Sequence, residues 1–219
     1  MIKTHIEKLL TSHPTPLYVF DIGTLLDRIA YLRRKLPADV SLCYAMKANT
    51  FILPHLGGPI DRFEVCSPGE LRIFQSLELP SEKLVVSGVV KDPALMEELI
   101  ASRIPVCAFT VESRQQFDLL RDLSCQYRHR IPILLRLTSG NQFGLNKEEI
   151  LEIAESHKTW SFLDIRGIQY FSGTQKNSLK RLKREISRLD DFLTELSMKS
   201  GLPIRELEFG PGLPVSYFP

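Results

Sequence analysis

Long apolar runs are missing from this 219-residue chain. None approaches the roughly 20 residues that a membrane-crossing helix needs, so no membrane association is expected. The N-terminus, Met1-Ile2-Lys3-Thr4-His5, carries a charge but no continuous apolar stretch after it, and it does not read as a signal peptide. Cysteine is scarce. Cys43, Cys66, Cys107 and Cys125 form no Cys-x-x-Cys pair, and three of them lie in apolar, strand-like runs. That usage reads as reduced, buried thiols in a cytoplasmic protein. The five histidines show neither His-x-His nor His-x-x-x-His spacing, so no metal is expected. Excess charge is lacking as well. The formal net charge is +2 with the basic residues dispersed, which gives no nucleic-acid footprint. The densest basic run, 176–188, carries Leu179, Leu182 and Ile186 at helical spacing and reads as the solvated face of an amphipathic helix.

What is present is a regular alternation. A short amphipathic helix is predicted over 2–10, then a short strand over 17–20 after Pro16. Asp21 is placed to cap a helix whose Leu25, Leu26, Ile29, Leu32 and Leu36 share one face, and Pro37 stops it. Strands are then predicted over 41–47, 62–67, 83–87, 105–110, 131–138, 165–172 and 206–209. Helices lie between them over 68–77, 93–102, 113–123, 147–157 and 178–200. Only the connection 50–61, broken by Pro54, Gly57, Gly58 and Pro59, is irregular. Continuously apolar strands such as 131–135 belong to parallel sheets covered by helices. Two architectures remain, an open doubly wound sheet and a (β/α)8 barrel, and no Gly-x-Gly-x-x-Gly follows the first strand of the alternation to support a dinucleotide site.

In a barrel, function collects at the C-terminal strand ends. There the chain places Lys47 and Asn49, then Glu64, Ser67 and Glu70, then Ser87, Arg136, Thr138, Gln169, Ser172, Gly173 and Thr174, and last Gly210 and Gly212. A lysine ending a buried strand either marks where the strand meets water or serves as a nucleophilic amine that forms Schiff bases with carbonyls. Strand alternation puts Cys43 and Ala45 on the face of Lys47, Cys66 on that of Glu64, and Leu134 on that of Arg136. Small or apolar companions of this kind suit a packed floor beneath a reactive upper layer. Glu64 and Arg136 equally suit an interior ion pair. The glycine-bearing turns Ser172-Gly173-Thr174 and Gly210-Pro211-Gly212 can present backbone N–H groups to one anion. A lysine facing a phosphate cradle is what pyridoxal phosphate requires.

From Thr15 onward the chain resembles the fold-type III pyridoxal-phosphate-dependent decarboxylases, a family that includes the ornithine, arginine and diaminopimelate enzymes and shares its barrel with alanine racemase. The resemblance is carried by Thr15-Pro16-Leu17-Tyr18-Val19, by Tyr44-Ala45-Met46-Lys47-Ala48-Asn49, by Ser67-Pro68-Gly69-Glu70, by Arg136, by Phe143-Gly144-Leu145, and by Gly210-Pro211-Gly212. It implies an α/β fold of the (β/α)8 TIM-barrel type, pyridoxal 5'-phosphate as cofactor, an amino-acid substrate and Lys47 as the catalytic Schiff-base lysine. The expected cofactor-binding set is Lys47, Glu64, Arg136, Phe171, Ser172, Gly173, Thr174, Gly210 and Gly212. Phe171 stands where the decarboxylases carry a ring-stacking histidine, Glu64 where an aspartate is common, and Gln142 where a lysine precedes Phe-Gly-Leu.

The resemblance also implies an eighth strand and a C-terminal β-domain that completes the site across a homodimer. Residues 1–219 read as the barrel portion, ending after the seventh strand. The expected activity is amino-acid decarboxylation. The alternatives are a truncated or split-gene chain that binds the cofactor or a complementing partner without turnover of its own, and amino-acid racemisation on the same barrel.

Overall fold

The computed structural model of the chain describes residues 2–216. Helix α1 spans Ile2–Ser12 and α2 spans Ile22–Lys35, the latter capped by Asp21, whose side chain accepts from the Thr24 N–H. The strand expected over 17–20 is not formed. Those residues carry no regular secondary structure, and Tyr18, Val19 and Phe20 are exposed.

The alternation then follows the expected order. Strands β1 (Cys43–Ala45), β2 (Arg62–Val65), β3 (Leu84–Val86), β4 (Ala108–Val111), β5 (Ile131–Leu137), β6 (Leu163–Phe171) and β7 (Glu206–Gly210) form one sheet in sequence order, with every pairing parallel. Helices α3 (Pro68–Ser76), α4 (Pro93–Ala101), α5 (Arg114–Gln126), α6 (Lys147–Glu155) and α7 (Leu179–Ser200) connect them. Each helix starts on a capping side chain. Ser67, Asp92, Ser113 and Ser178 cap four of them, and Asn146 with Glu149 forms a reciprocal capping box on α6. Pro68 and Pro93 enter at the first helical positions, where a missing N–H costs nothing.

Alternation along the strands separates two faces. Phe63, Val65, Leu84, Val86, Phe109, Val111, Ile133, Leu135 and Leu137 join the helices in one apolar core. Val85, Ala108 and Leu134 are just as buried but stand apart from that core, so they face the other side of the sheet. That second face is a barrel interior, because side chains meet across it between strands that are not neighbours. Glu64 of β2 meets Gln169 of β6 at 3.4 Å, and Arg62 of β2 pairs with Glu206 of β7. A flat sheet could not bring these strands together. β6 also carries an extra residue opposite Ile133 and Leu134, a bulge that adds to the local bend.

Three expectations are corrected here. The floor beneath the strand ends is not apolar throughout, since it holds the Arg62–Glu206 pair and Glu208. Lys47 does not lie within the first strand, which stops at Ala45. It sits in a tight 3-10 turn, Met46–Ala48, anchored by fully buried Met46. The thiols are not buried as a set: Cys43 and Cys125 are exposed, and Cys66 and Cys107 are half-buried. Among the described residues no helix is long and apolar enough to cross a membrane.

Candidate active site at the barrel mouth

Lys47 projects from the turn after β1 toward β6, with its Nζ 5.9 Å from the centre of the Phe171 ring. The turn is held by Tyr44, whose hydroxyl donates to the Asn49 carbonyl at 2.8 Å, and by Asn49, whose Oδ1 accepts from the Phe51 N–H at 2.9 Å. The lysine is exposed rather than buried, so its amine is within reach of a ligand entering the mouth.

Phe171 packs against Gly210 at the end of β7. A Cβ on Gly210 would come within 2.6 Å of the Phe171 ring, so only glycine allows this packing. The turns after β6 and β7 touch in the same way. Gly212 has φ +62°, and a Cβ there would stand 1.9 Å from the Gly173 carbonyl oxygen. The Lys176 N–H donates to the Gly212 carbonyl at 2.8 Å, and the Gln175 side chain bonds both the N–H and the carbonyl of Val215. Two flexible loops are thereby fixed as one surface, with Gly173 at φ +113° and the Thr174 hydroxyl exposed beside it.

Ser172 behaves differently from its neighbours. Its hydroxyl donates to Glu185 of α7 and accepts from Lys176, on the outer side of the sheet. Burial works against the Glu185 carboxylate, but hydrogen bonds from Lys176 and Ser172 outweigh it and hold Glu185 below the usual carboxylate range. Ser172 can offer the interior only its backbone, while its side chain braces the turn against α7.

Deeper in the barrel Glu64 of β2, Gln169 of β6 and Glu208 of β7 form a polar layer below Lys47. The Gln169 amide lies between the two carboxyl groups, donating toward Glu64 at 3.4 Å and favouring the charged form of Glu208. Burial pushes the Glu208 carboxyl up to about 7, and the Glu64 charge adds to this. Glu208 Oε2 and Gln169 Oε1 are shielded from solvent without a partner among the described residues. Cys66, on the inner face of β2, has its thiol pushed up to about 12 by burial and by Glu64, while the Lys47 charge acts in the opposite sense.

Arg136, one residue before the end of β5, donates to Glu112 at 2.5 Å, with its guanidinium 5.4 Å from the Phe143 ring centre. It does not pair with Glu64, the interior partner that the sequence left open. Glu112, Lys91 and Glu208 were not expected in the site. Extending the predicted fourth strand by two residues would have placed Glu112 on the face of Ala108 and Thr110, and Glu208 shares a face with Glu206 and Gly210. Lys91 folds back from the loop beyond β3, and no periodicity announces that. Among the described residues no cluster of His, Cys, Asp or Glu is arranged to hold a metal.

The lysine, the flat aromatic ring and the glycine-built surface suit a phosphorylated aromatic aldehyde. The comparisons point to the same group. Residues 22–218 match the family described as pyridoxal-dependent decarboxylase, pyridoxal binding domain. The chain is 27% identical over 234 residues to the diaminopimelate decarboxylase of Aquifex aeolicus, covering 98% of this chain and 54% of that protein. A crystal structure of an Aquifex aeolicus protein superposes with a TM-score of 0.84 at 26% identity, over 97% of this chain and 53% of that one. The lysine/ornithine decarboxylase of Vibrio vulnificus, solved with putrescine, shares the fold at a TM-score of 0.82 and 22% identity, over 98% of this chain and 57% of that one. The chain spans about half the length of the curated relatives it matches. On the family match and the barrel geometry together, the chain belongs to the pyridoxal-dependent decarboxylases and corresponds to their pyridoxal binding domain.

Proposed function

We propose that this chain is the cofactor-binding barrel of an enzyme that decarboxylates an amino acid. The observation that carries the reading is Lys47 facing Phe171 across the mouth, beside the joined turns of Gly173 and Gly212. Lys47 would hold pyridoxal 5'-phosphate through its amine. Phe171 would cover one face of the ring by apolar contact, without the hydrogen bond or charge that a histidine could supply. The backbone of Ser172, Gly173 and Thr174, with that of Gly210 and Gly212, would receive the phosphate. Glu64 and Arg136 would line the ring's surroundings. When bound, the cofactor supplies an electron sink that stabilises loss of carbon dioxide from the substrate's α-carbon.

The sheet leaves β1 and β7 each with a single neighbour. We place the closing strand between them, supplied by a continuation of the polypeptide or by a complementing chain, with a homodimer as the assembly. The half-length match favours a second reading, in which this chain binds the cofactor or a partner and turns over substrate only when complemented. Turnover by the 219-residue chain alone would exclude it.

The first reading predicts that the chain mixed with pyridoxal 5'-phosphate develops a visible absorbance band, and that borohydride then fixes the label to the peptide carrying Lys47. Lys47→Ala should abolish both signals. A Lys47→Ala chain that still gives the band and the fixed label would overturn the assignment.

A further inference from the structure

Three charged side chains turn inward at the ends of β3, β4 and β5, and the sequence reading assigned a role to only one of them. Lys91 is 7% exposed, and its ammonium has one hydrogen bond, to the Gly88 carbonyl at 3.2 Å. The Glu112 side chain is 2% exposed. Its Oε2 accepts from Arg136, and its Oε1 is shielded without a partner among the described residues. Gln116, in the first turn of α5, ties the two loops together. Its Oε1 accepts from the Glu112 N–H at 2.9 Å, and its Nε2 donates to the carbonyls of Gly88 and Val89 at 3.1 and 2.9 Å.

Lys91 and Arg136 both act electrostatically in the surroundings of Glu112. Burial pushes the Lys91 ammonium down to about 8, opposed by the charges of Glu112, Cys66 and Glu64, while Arg136 adds to the depression. Burying such a set costs more than packing apolar side chains of the same volume. Charges kept at the C-terminal strand ends of a barrel therefore point to a task at the mouth rather than to stability. The arrangement also fixes geometry. A guanidinium held in one orientation before a ligand arrives loses less side-chain freedom on binding.

We propose that Glu112, itself held by Gln116, is a positioning residue, which holds the Arg136 guanidinium in one orientation so that its remaining N–H groups meet an anionic oxygen of the bound cofactor or substrate. This rests on the cofactor-binding reading, and the test separates the two. In the cofactor-free chain, exchange of the Arg136 side-chain N–H with water is followed by NMR, with the signal assigned through Arg136→Lys. It should be slower, by about tenfold or more, than that of Arg184, a surface arginine without an ion pair among the described residues. Glu112→Gln and Gln116→Leu should each bring it close to the Arg184 rate.

In parallel, Glu112→Gln should weaken pyridoxal 5'-phosphate binding about tenfold, the equivalent of one charge-assisted hydrogen bond. Its unfolding midpoint is measured without cofactor as a control. Arg136 exchange unchanged in both Glu112→Gln and Gln116→Leu would overturn the proposal, as would a drop in midpoint with unchanged exchange. Failure of Glu112→Gln to fold leaves Gln116→Leu to decide. Absence of any cofactor binding by the wild-type chain would sink the functional reading, while the exchange rates would still decide the positioning claim.

Discussion

Substituting glutamine for Glu208 separates the cost of burying an acid from everything else in the barrel floor. The carboxyl stands between the Gln169 amide and the Glu64 charge, with Oε2 shielded and unpartnered, and burial raises it from an ordinary 4.5 to about 7. A displacement of that size is equivalent to roughly 3 kcal/mol against the charged form, and the partial exposure of the residue trims the expected effect to about 2 kcal/mol. The sign is set by proton binding. Below 4.5 the acid is protonated in both folded and unfolded chains and contributes no difference. Between 4.5 and about 7 the folded chain holds the proton more tightly, so stability falls as pH rises, and above 7 the whole cost is present. Glu208→Gln keeps the shape and removes the charge. It should stabilise the chain by about 2 kcal/mol at pH 8 and by little at pH 4, as read from urea unfolding of both proteins at each pH. A difference between wild type and variant that does not change with pH would refute the reasoning, since it would mean that Glu208 is ionised in the folded chain at the same pH as in the unfolded one.

Two further substitutions test the scaffold. Gly212→Ala forces a side chain into the left-handed backbone region and against the Gly173 carbonyl, so it should lower stability by about 2 kcal/mol or more and separate the two turns. Urea unfolding reads the first effect, and loss of cofactor binding at temperatures well below the unfolding midpoint reads the second. Asn146→Ala removes the α6 capping box, and it should cost about 1 kcal/mol in the same assay.

The alternation of elements was legible because parallel strands and their helices carry strong local signals. Caps such as Ser67, Asp92 and Ser113 stand where the helices begin, and Pro68 and Pro93 enter just behind two of them. Lys47, Phe171 and the glycine turns were placed by motif and strand position, and the structure gathers them at one end of the sheet. The interior ionic network was not legible. Which cation meets which carboxylate depends on curvature, and curvature brings together residues that no short window contains. Arg62 found Glu206 rather than a neighbour, Arg136 found Glu112 rather than Glu64, and Lys91 reached inward from a loop. The segment 17–20 shows the opposite failure, since apolar β-formers without an adjacent strand make no ladder.

The tie between Arg62 and Glu206 bears on the order of assembly. Every strand pairs with the strand before it in the chain, so each βα unit can dock on the last as it emerges, with little loop entropy to overcome. This contact across the lumen joins residues 144 positions apart, and Arg62 has to wait for the seventh strand to meet Glu206. The curl of the sheet is therefore fixed late. Until then the inner face, with its acids and arginines, lies open to water, which suits those groups far better than an unfinished apolar pocket would.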